Sequence, residues 1–159
     1  TWWQRALMNA CGITTNRVAT LRVAVTAIQA NSGENFEFTN KGLGWFLICA
    51  SLVFTTMQVQ DLRDQEGDAL IDRATLPLIL GDSTTRWITA AAVLIWSVIC
   101  PMYWELGIVG CMVPMITGTA VAAHMLIYRT RQRDQTSFRL VAAWWVSLYF
   151  LPRMNAYGL

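Results

Sequence analysis

The sequence predicts an all-α integral membrane protein with about five transmembrane helices, on three observations. Charged residues make up 14% of the chain and hydrophobic ones 55%, whereas a soluble domain carries about 25% charged residues. Long apolar runs recur, separated by short polar stretches. There are eight Trp, several near the ends of those runs, where interfacial aromatics sit. The net charge of +2 is too small to argue for nucleic acid, so the basic residues are better used to read topology.

The segments fall at about 6–30, 43–60, 87–104, 107–128 and 138–151. The run at 43–60 stays apolar until Thr55, Thr56 and Gln58. The run at 87–104 has Trp87 and Trp104 at its ends, and 107–128 is apolar nearly throughout. The last run closes at Pro152 and is short against the roughly 20 residues that a membrane crossing needs. The first run holds Asn9, Asn16, Arg17 and Arg22. Charge at membrane depth faces a bundle interior, a cavity or an anion, so this run is either a span with a polar inner face or an interfacial helix. Residues 31–42 (NSGENFEFTNKG) read as an exposed loop. Residues 103–107 are so few that the flanking helices must be antiparallel neighbours.

If all five segments span, one side of the membrane carries Arg5, Arg63, Arg73, Arg86, Arg129, Arg131, Arg133 and Arg139, and the other Lys41 and Arg153. The positive-inside rule makes the first side cytoplasmic. No signal peptide is visible, and a chain opening on Thr1-Trp2-Trp3 reads as part of a longer membrane protein. Cys11, Cys49, Cys100 and Cys111 lie in apolar stretches without metal-ligand spacing, as free buried thiols do.

The chemistry concentrates at residues 60–68, QDLRDQEGD, which lead into an expected Asp-rich cytoplasmic loop at 61–82. Asp61, Asp64 and Asp68 stand at i, i+3 and i+7, within about 60° of one another on a helix. Carboxylates so placed call for a cation, and a hard divalent ion such as Mg2+ prefers oxygen ligands and shares them with phosphates; the plain alternative is a solvated acidic helix end. Arg73 follows Asp68 by five residues, within reach of an anion held over it or of the interface as a snorkelling side chain. Metal and arginine together suit a diphosphate. Its loss from an allylic carbon leaves a carbocation, which needs a dry pocket with aromatic faces. Trp45, Trp96, Trp144, Trp145, Tyr149 and Phe150 are candidates for such walls, though aromatics in a bundle are more often packing and interface anchors. Arg63 and Glu66 point away from the aspartates, Arg63 as a local salt-bridge partner and Glu66 as a solvated group. His124 stands alone, as a core histidine bonded to a neighbour. Arg129, Arg131 and Arg133 read as an orientation signal meeting anionic lipid.

QDLRDQEGD, followed by RATLPL, resembles the second aspartate-rich motif of the UbiA superfamily of intramembrane prenyltransferases, approximately D-x-x-D-x-x-G-D with a basic residue and T-L-P downstream. The likeness is nearest to the fungal branch, which includes terpene cyclases. Arg5 to Gly12, RALMNACG, also resembles the start of that family's fifth helix. The resemblance implies a nine-helix bundle of which this chain is the C-terminal part. It implies a Mg2+ ion held by Asp61, Asp64 and Asp68 as the catalytic and metal residues, with Arg73 on the diphosphate of a polyprenyl substrate. The family's first motif, N-D-x-x-D-x-x-x-D, is not in these residues, so an N-terminal half bearing it is an implied partner and this chain alone is expected to be inactive. Arg17 and Arg22 stand where the family helix is small and apolar.

Transfer of the prenyl group to an acceptor is the leading expectation. Capture of the same cation by an internal double bond, which is terpene cyclisation, is the alternative. A non-catalytic relic or a cation-binding membrane protein is a third reading. The D-G-x-x-A-R motif of lipid-head-group transferases cannot be placed.

Overall fold

A computed structural model describes residues 2–32 and 39–156, and every regular element among them is helical. In chain order these are α1 (Trp2–Ser32), α2 (Asn40–Thr56), α3 (Gln58–Leu70), α4 (Leu76–Leu80), α5 (Asp82–Tyr103), α6 (Ile108–Ile127), α7 (Arg131–Tyr149) and α8 (Leu151–Ala156). Residues 33–38 of the predicted loop at 31–42 lie outside the described residues, while 31–32 end α1 and 40–42 begin α2.

Among the described residues three stretches are long and apolar enough to cross a membrane: Asn40–Leu70, Asp82–Tyr103 and Ile108–Ile127. Five were expected. The other two segments do form helices, α1 and α7. Arg5, Arg17 and Arg22 dilute the apolarity of α1, and Arg131, Arg133, Asp134 and Arg139 that of α7. The stretch 61–82, expected as a loop, is helical over most of its length, as the end of α3 and all of α4.

The chain divides into two compact units, residues 3–54, and residues 55 onward with residues 1–2. In the smaller unit, Thr20 and Thr26 return their hydroxyls to the carbonyls of Asn16 and Arg22 at 2.8 and 2.9 Å. This satisfies two polar side chains inside α1 without a partner helix. The cysteines are all free, as expected, but Cys11 is exposed and Cys111 half-buried, because each sits on an outward-facing turn of its helix.

In the larger unit α5 packs on α6, α6 on α7, and α3 on α7, α5 and α4. Glu105 has a positive φ of 55°, and the Leu106 amide donates back to the Pro101 carbonyl at 3.2 Å. This left-handed helix end folds α6 back against α5 with few linking residues. Val93, Cys100, Val121, Met125, Val141, Trp144 and Leu148 are all buried between these helices. Trp144 Nε1 donates to Ser97 Oγ at 2.9 Å, and Ser97 donates to the Val93 carbonyl at 2.8 Å. A Cβ at Gly118 of α6 would collide with Ser97 Oγ and crowd Trp144 Nε1. Only glycine lets the three helices meet there.

Candidate active site at the polar end of the larger unit

The end of α3, the start of α5, the end of α6 and the start of α7 come together at one end of this unit. α3 is apolar enough on one side to be buried there, through Val59 and Leu62. Asp61 and Asp68 go in with them, 7% and 4% exposed. Asp64, at the edge of the same arc, does not. Its side chain is 41% exposed and takes both oxygens' bonds from Arg63, at 2.8 Å each. Arg63 in turn lies over the Phe138 ring, so it pairs locally as expected. Among the described residues no group of three His, Cys, Asp or Glu converges as a metal site. The three aspartates share an arc in the sequence, but burial divides them two and one.

The chain after α3 turns back on it. Asp72 takes a positive φ of 49°, and the Arg73 amide donates to the Asp68 carbonyl at 2.9 Å. That reversal brings Arg73 NH1 to Asp68 Oδ1 at 3.1 Å. The Arg73 side chain remains half-exposed. The other oxygen, Asp68 Oδ2, is buried with no hydrogen-bond partner among the described residues, and so is Thr75 Oγ1. A buried carboxylate oxygen left without a donor is costly. It is the condition a cation would relieve. Mg2+ is commonly held by one or two carboxylates plus substrate phosphates, so two buried aspartates and a half-exposed arginine fit a metal–diphosphate pair.

Sequence reasoning missed the most heavily bonded residue at this end. Arg86 had been counted among loop charges, yet it lies in the second turn of α5 with its side chain 1% exposed. Its Nε donates to Asp82 Oδ2 at 2.8 Å, and NH1 and NH2 grip both oxygens of Asp134 at 2.6 and 2.8 Å. NH1 also reaches the carbonyls of Met125 and Tyr128, at 3.1 and 3.3 Å. Those carbonyls end α6 and have no partner within their helix. Asp82 and Asp134 sit in the first turns of α5 and α7, where a carboxylate complements the helix dipole. One guanidinium thus ties three helix ends. Gly81, with φ 88°, makes the turn that starts α5 at Asp82. The i, i+4 spacing of Asp82 and Arg86 was the available signal; nothing local pointed to Asp134.

Gln65 of α3 joins this network. Its amide nitrogen donates to Asp82 Oδ1 at 2.8 Å and to the Leu62 carbonyl at 3.0 Å. Beside it opens a cavity of about 190 Å³ whose lining includes Leu62, Gln65, Asp82, Arg86, Arg129 and Asp134. Glu66 and Arg131 pair across its mouth at 3.1 Å, both well exposed. His124 is half-buried and bonded to Ser137 Oγ at 2.9 Å, the neighbour-bonded histidine expected. Of the expected aromatic walls, Trp96, Trp144 and Trp145 spend their indole N–H on Thr55, Ser97 and Thr56. Phe150 is 59% exposed, and Trp45 is buried in the smaller unit.

The profile of the UbiA prenyltransferase family matches residues 7–151. The chain is 31% identical over 122 residues to the somaliensene A/B synthase of Streptomyces somaliensis, covering 67% of this chain and 40% of that protein. It is 29% identical over 117 residues to the polyprenyl transferase eriF of Hericium erinaceus, covering 72% of this chain and 39% of that one. The chain therefore spans about two fifths of the length of the curated relatives it matches. One is bacterial and the other fungal. No solved structure matches.

Proposed function

Since the chain belongs to the UbiA prenyltransferase family, we propose that it is the aspartate-bearing C-terminal part of an intramembrane enzyme that ionises a polyprenyl diphosphate and transfers the prenyl group to an acceptor. The observation that carries this reading is the buried pair Asp61 and Asp68, with Asp68 Oδ2 left without a donor among the described residues. Asp61 and Asp68 would hold Mg2+, joined by Asp64 if it leaves Arg63, and the ion would supply positive charge against that building on the departing diphosphate. Arg73 releases one carboxylate oxygen and donates to the diphosphate instead, which its half-exposed position and flexible stem allow. The apolar spans on either side keep water from the cation.

The polar end faces the cytoplasm. Arg63, Arg129, Arg131 and Arg133 all gather there, and basic residues stay on that side. A first aspartate-rich motif is supplied by sequence outside this chain. Its support is that the match covers about two fifths of each relative.

The test uses the full-length protein in membranes, given a polyprenyl diphosphate and Mg2+. Asp61→Ala with Asp68→Ala is expected to cut diphosphate release by roughly 10³-fold or more. Release at the wild-type rate would refute the metal role. Cyclisation is the second reading, favoured because one relative is named as a synthase. A cyclic hydrocarbon as the main product from farnesyl diphosphate without acceptor would decide for it.

A further inference from the structure

We infer that Gln65 is a positioning residue that fixes the rotation of α3, and so the separation and aim of Asp61 and Asp68, by anchoring it to the Arg86 network. The inference rests on the metal-holding role proposed for the two aspartates.

Gln65 lies between them on the helix, about 40° around the axis from Asp61 and about 60° from Asp68. Its amide has two acceptors in front of it, Asp82 Oδ1 and the Leu62 carbonyl. Both can only accept, so the nitrogen must face them. The bond to Leu62 holds the side chain against its own helix. The bond to Asp82 then transmits any rotation of α3 to the start of α5.

Asp82 cannot yield, because its other oxygen is held by Arg86. Arg86 cannot yield either. It is clamped by both Asp134 oxygens and by two carbonyls at the end of α6. The series Gln65–Asp82–Arg86–Asp134 thus runs from α3 through α5 to α7, each bond 2.6–2.8 Å long. A carboxylate lies roughly 6 Å from the helix axis, so a rotation of about 20° would move it about 2 Å. That exceeds what metal–oxygen bonds of about 2.1 Å tolerate. Other side-chain links of α3 fix its rotation less firmly: the Glu66–Arg131 pair is exposed, Arg73 on Asp68 is half-exposed, and Arg63 lies over the Phe138 ring, a contact without a fixed direction.

The test is Mn2+ binding, read by electron paramagnetic resonance without turnover, on the full-length protein in detergent with inorganic diphosphate. Gln65→Leu keeps size and loses the donor. It is expected to weaken Mn2+ binding about tenfold, as loss of a group that orients a metal ligand does, with the metal-free melting temperature little changed. Gln65→Lys restores a donor to Asp82 and is expected to bind within about threefold of wild type, on the same scale of outer-ligand effects. Wild-type binding by Gln65→Leu, or no rescue by Gln65→Lys, would overturn the inference. So would a large fall in melting temperature accompanying the loss, because the role would then be general stability. If Asp61→Ala with Asp68→Ala also binds Mn2+ like wild type, the metal reading itself fails. If that double variant loses binding and Gln65→Leu does not, only the positioning role fails.

Discussion

Arg86 and Asp68 are both charged, both buried and both in the larger unit, yet their surroundings differ. All three guanidinium nitrogens of Arg86 are answered: two carboxylates and two helix-end carbonyls surround it. Asp68 has one oxygen on a half-exposed arginine and the other on nothing among the described residues. A buried charge whose partners are complete does structural work, since removing any partner strands the rest. A buried charge with capacity to spare costs stability in the empty fold and is kept where a ligand completes it. Arg86 is therefore a fixed point and Asp68 a receptive one, on the helix that Gln65 ties to the Arg86 network.

Removing a partner on each side is the sharpest way to break this comparison. Asp134→Ala leaves Arg86 buried with half its charge unanswered, and the expected loss is about 3–5 kcal/mol. Asp68→Ala removes a half-satisfied carboxylate and leaves Arg73 free to turn to solvent. Its expected effect on stability is within about 1 kcal/mol. Thermal unfolding of both variants of the full-length protein in the same detergent checks the contrast. Equal losses would mean that Asp68 is as structural as Asp134.

Part of this was legible in the sequence. Apolar runs give away α2, α5 and α6, because a membrane-crossing helix has no need of a polar face. The i, i+3, i+7 aspartates announce an acidic helix face. Periodicity cannot say where burial cuts such a face, and the cut fell between Asp64 and its two companions. Helix starts were harder. α5 begins at Asp82 and α7 at Arg131, several residues before the apolar runs, because their first turns are polar and carry no apolar signal. That is also why Arg86 was read as a loop charge. Its partners Met125, Tyr128 and Asp134 lie 39 to 48 residues away, and no local pattern joins them.

A middle-sized effect tests whether the fixed side extends into the bundle. Gly118→Ala puts a methyl group against Ser97 Oγ and Trp144 Nε1. Those atoms are bonded to each other, so relief requires α6 to shift or the bond to break. The expected cost is about 1–3 kcal/mol, the range for overfilling a packed core. It should appear as a lower melting temperature, with Mn2+ binding unchanged if the Arg86 network still holds α3. Weakened Mn2+ binding in Gly118→Ala would mean that packing deep in the bundle, and not the network, sets the aspartates.

The smallest expected effect belongs to Glu66–Arg131, which also joins α3 to α7 at this end. Both side chains are about three-quarters exposed, so water and salt compete with the pair and its side chains pay entropy to meet. A double-mutant cycle with Glu66→Ala and Arg131→Ala is expected to give a coupling of about 0.2–1 kcal/mol, shrinking as salt is raised. The value matters because this pair is the exposed counterpart of Arg86–Asp134. If the coupling were several kcal/mol and insensitive to salt, this pair would itself fix the rotation of α3 against α7. Gln65 would then not be needed to set its rotation. A weak, screened coupling leaves the part-buried route through Asp82 and Arg86 as the polar link that sets the rotation of the aspartate helix.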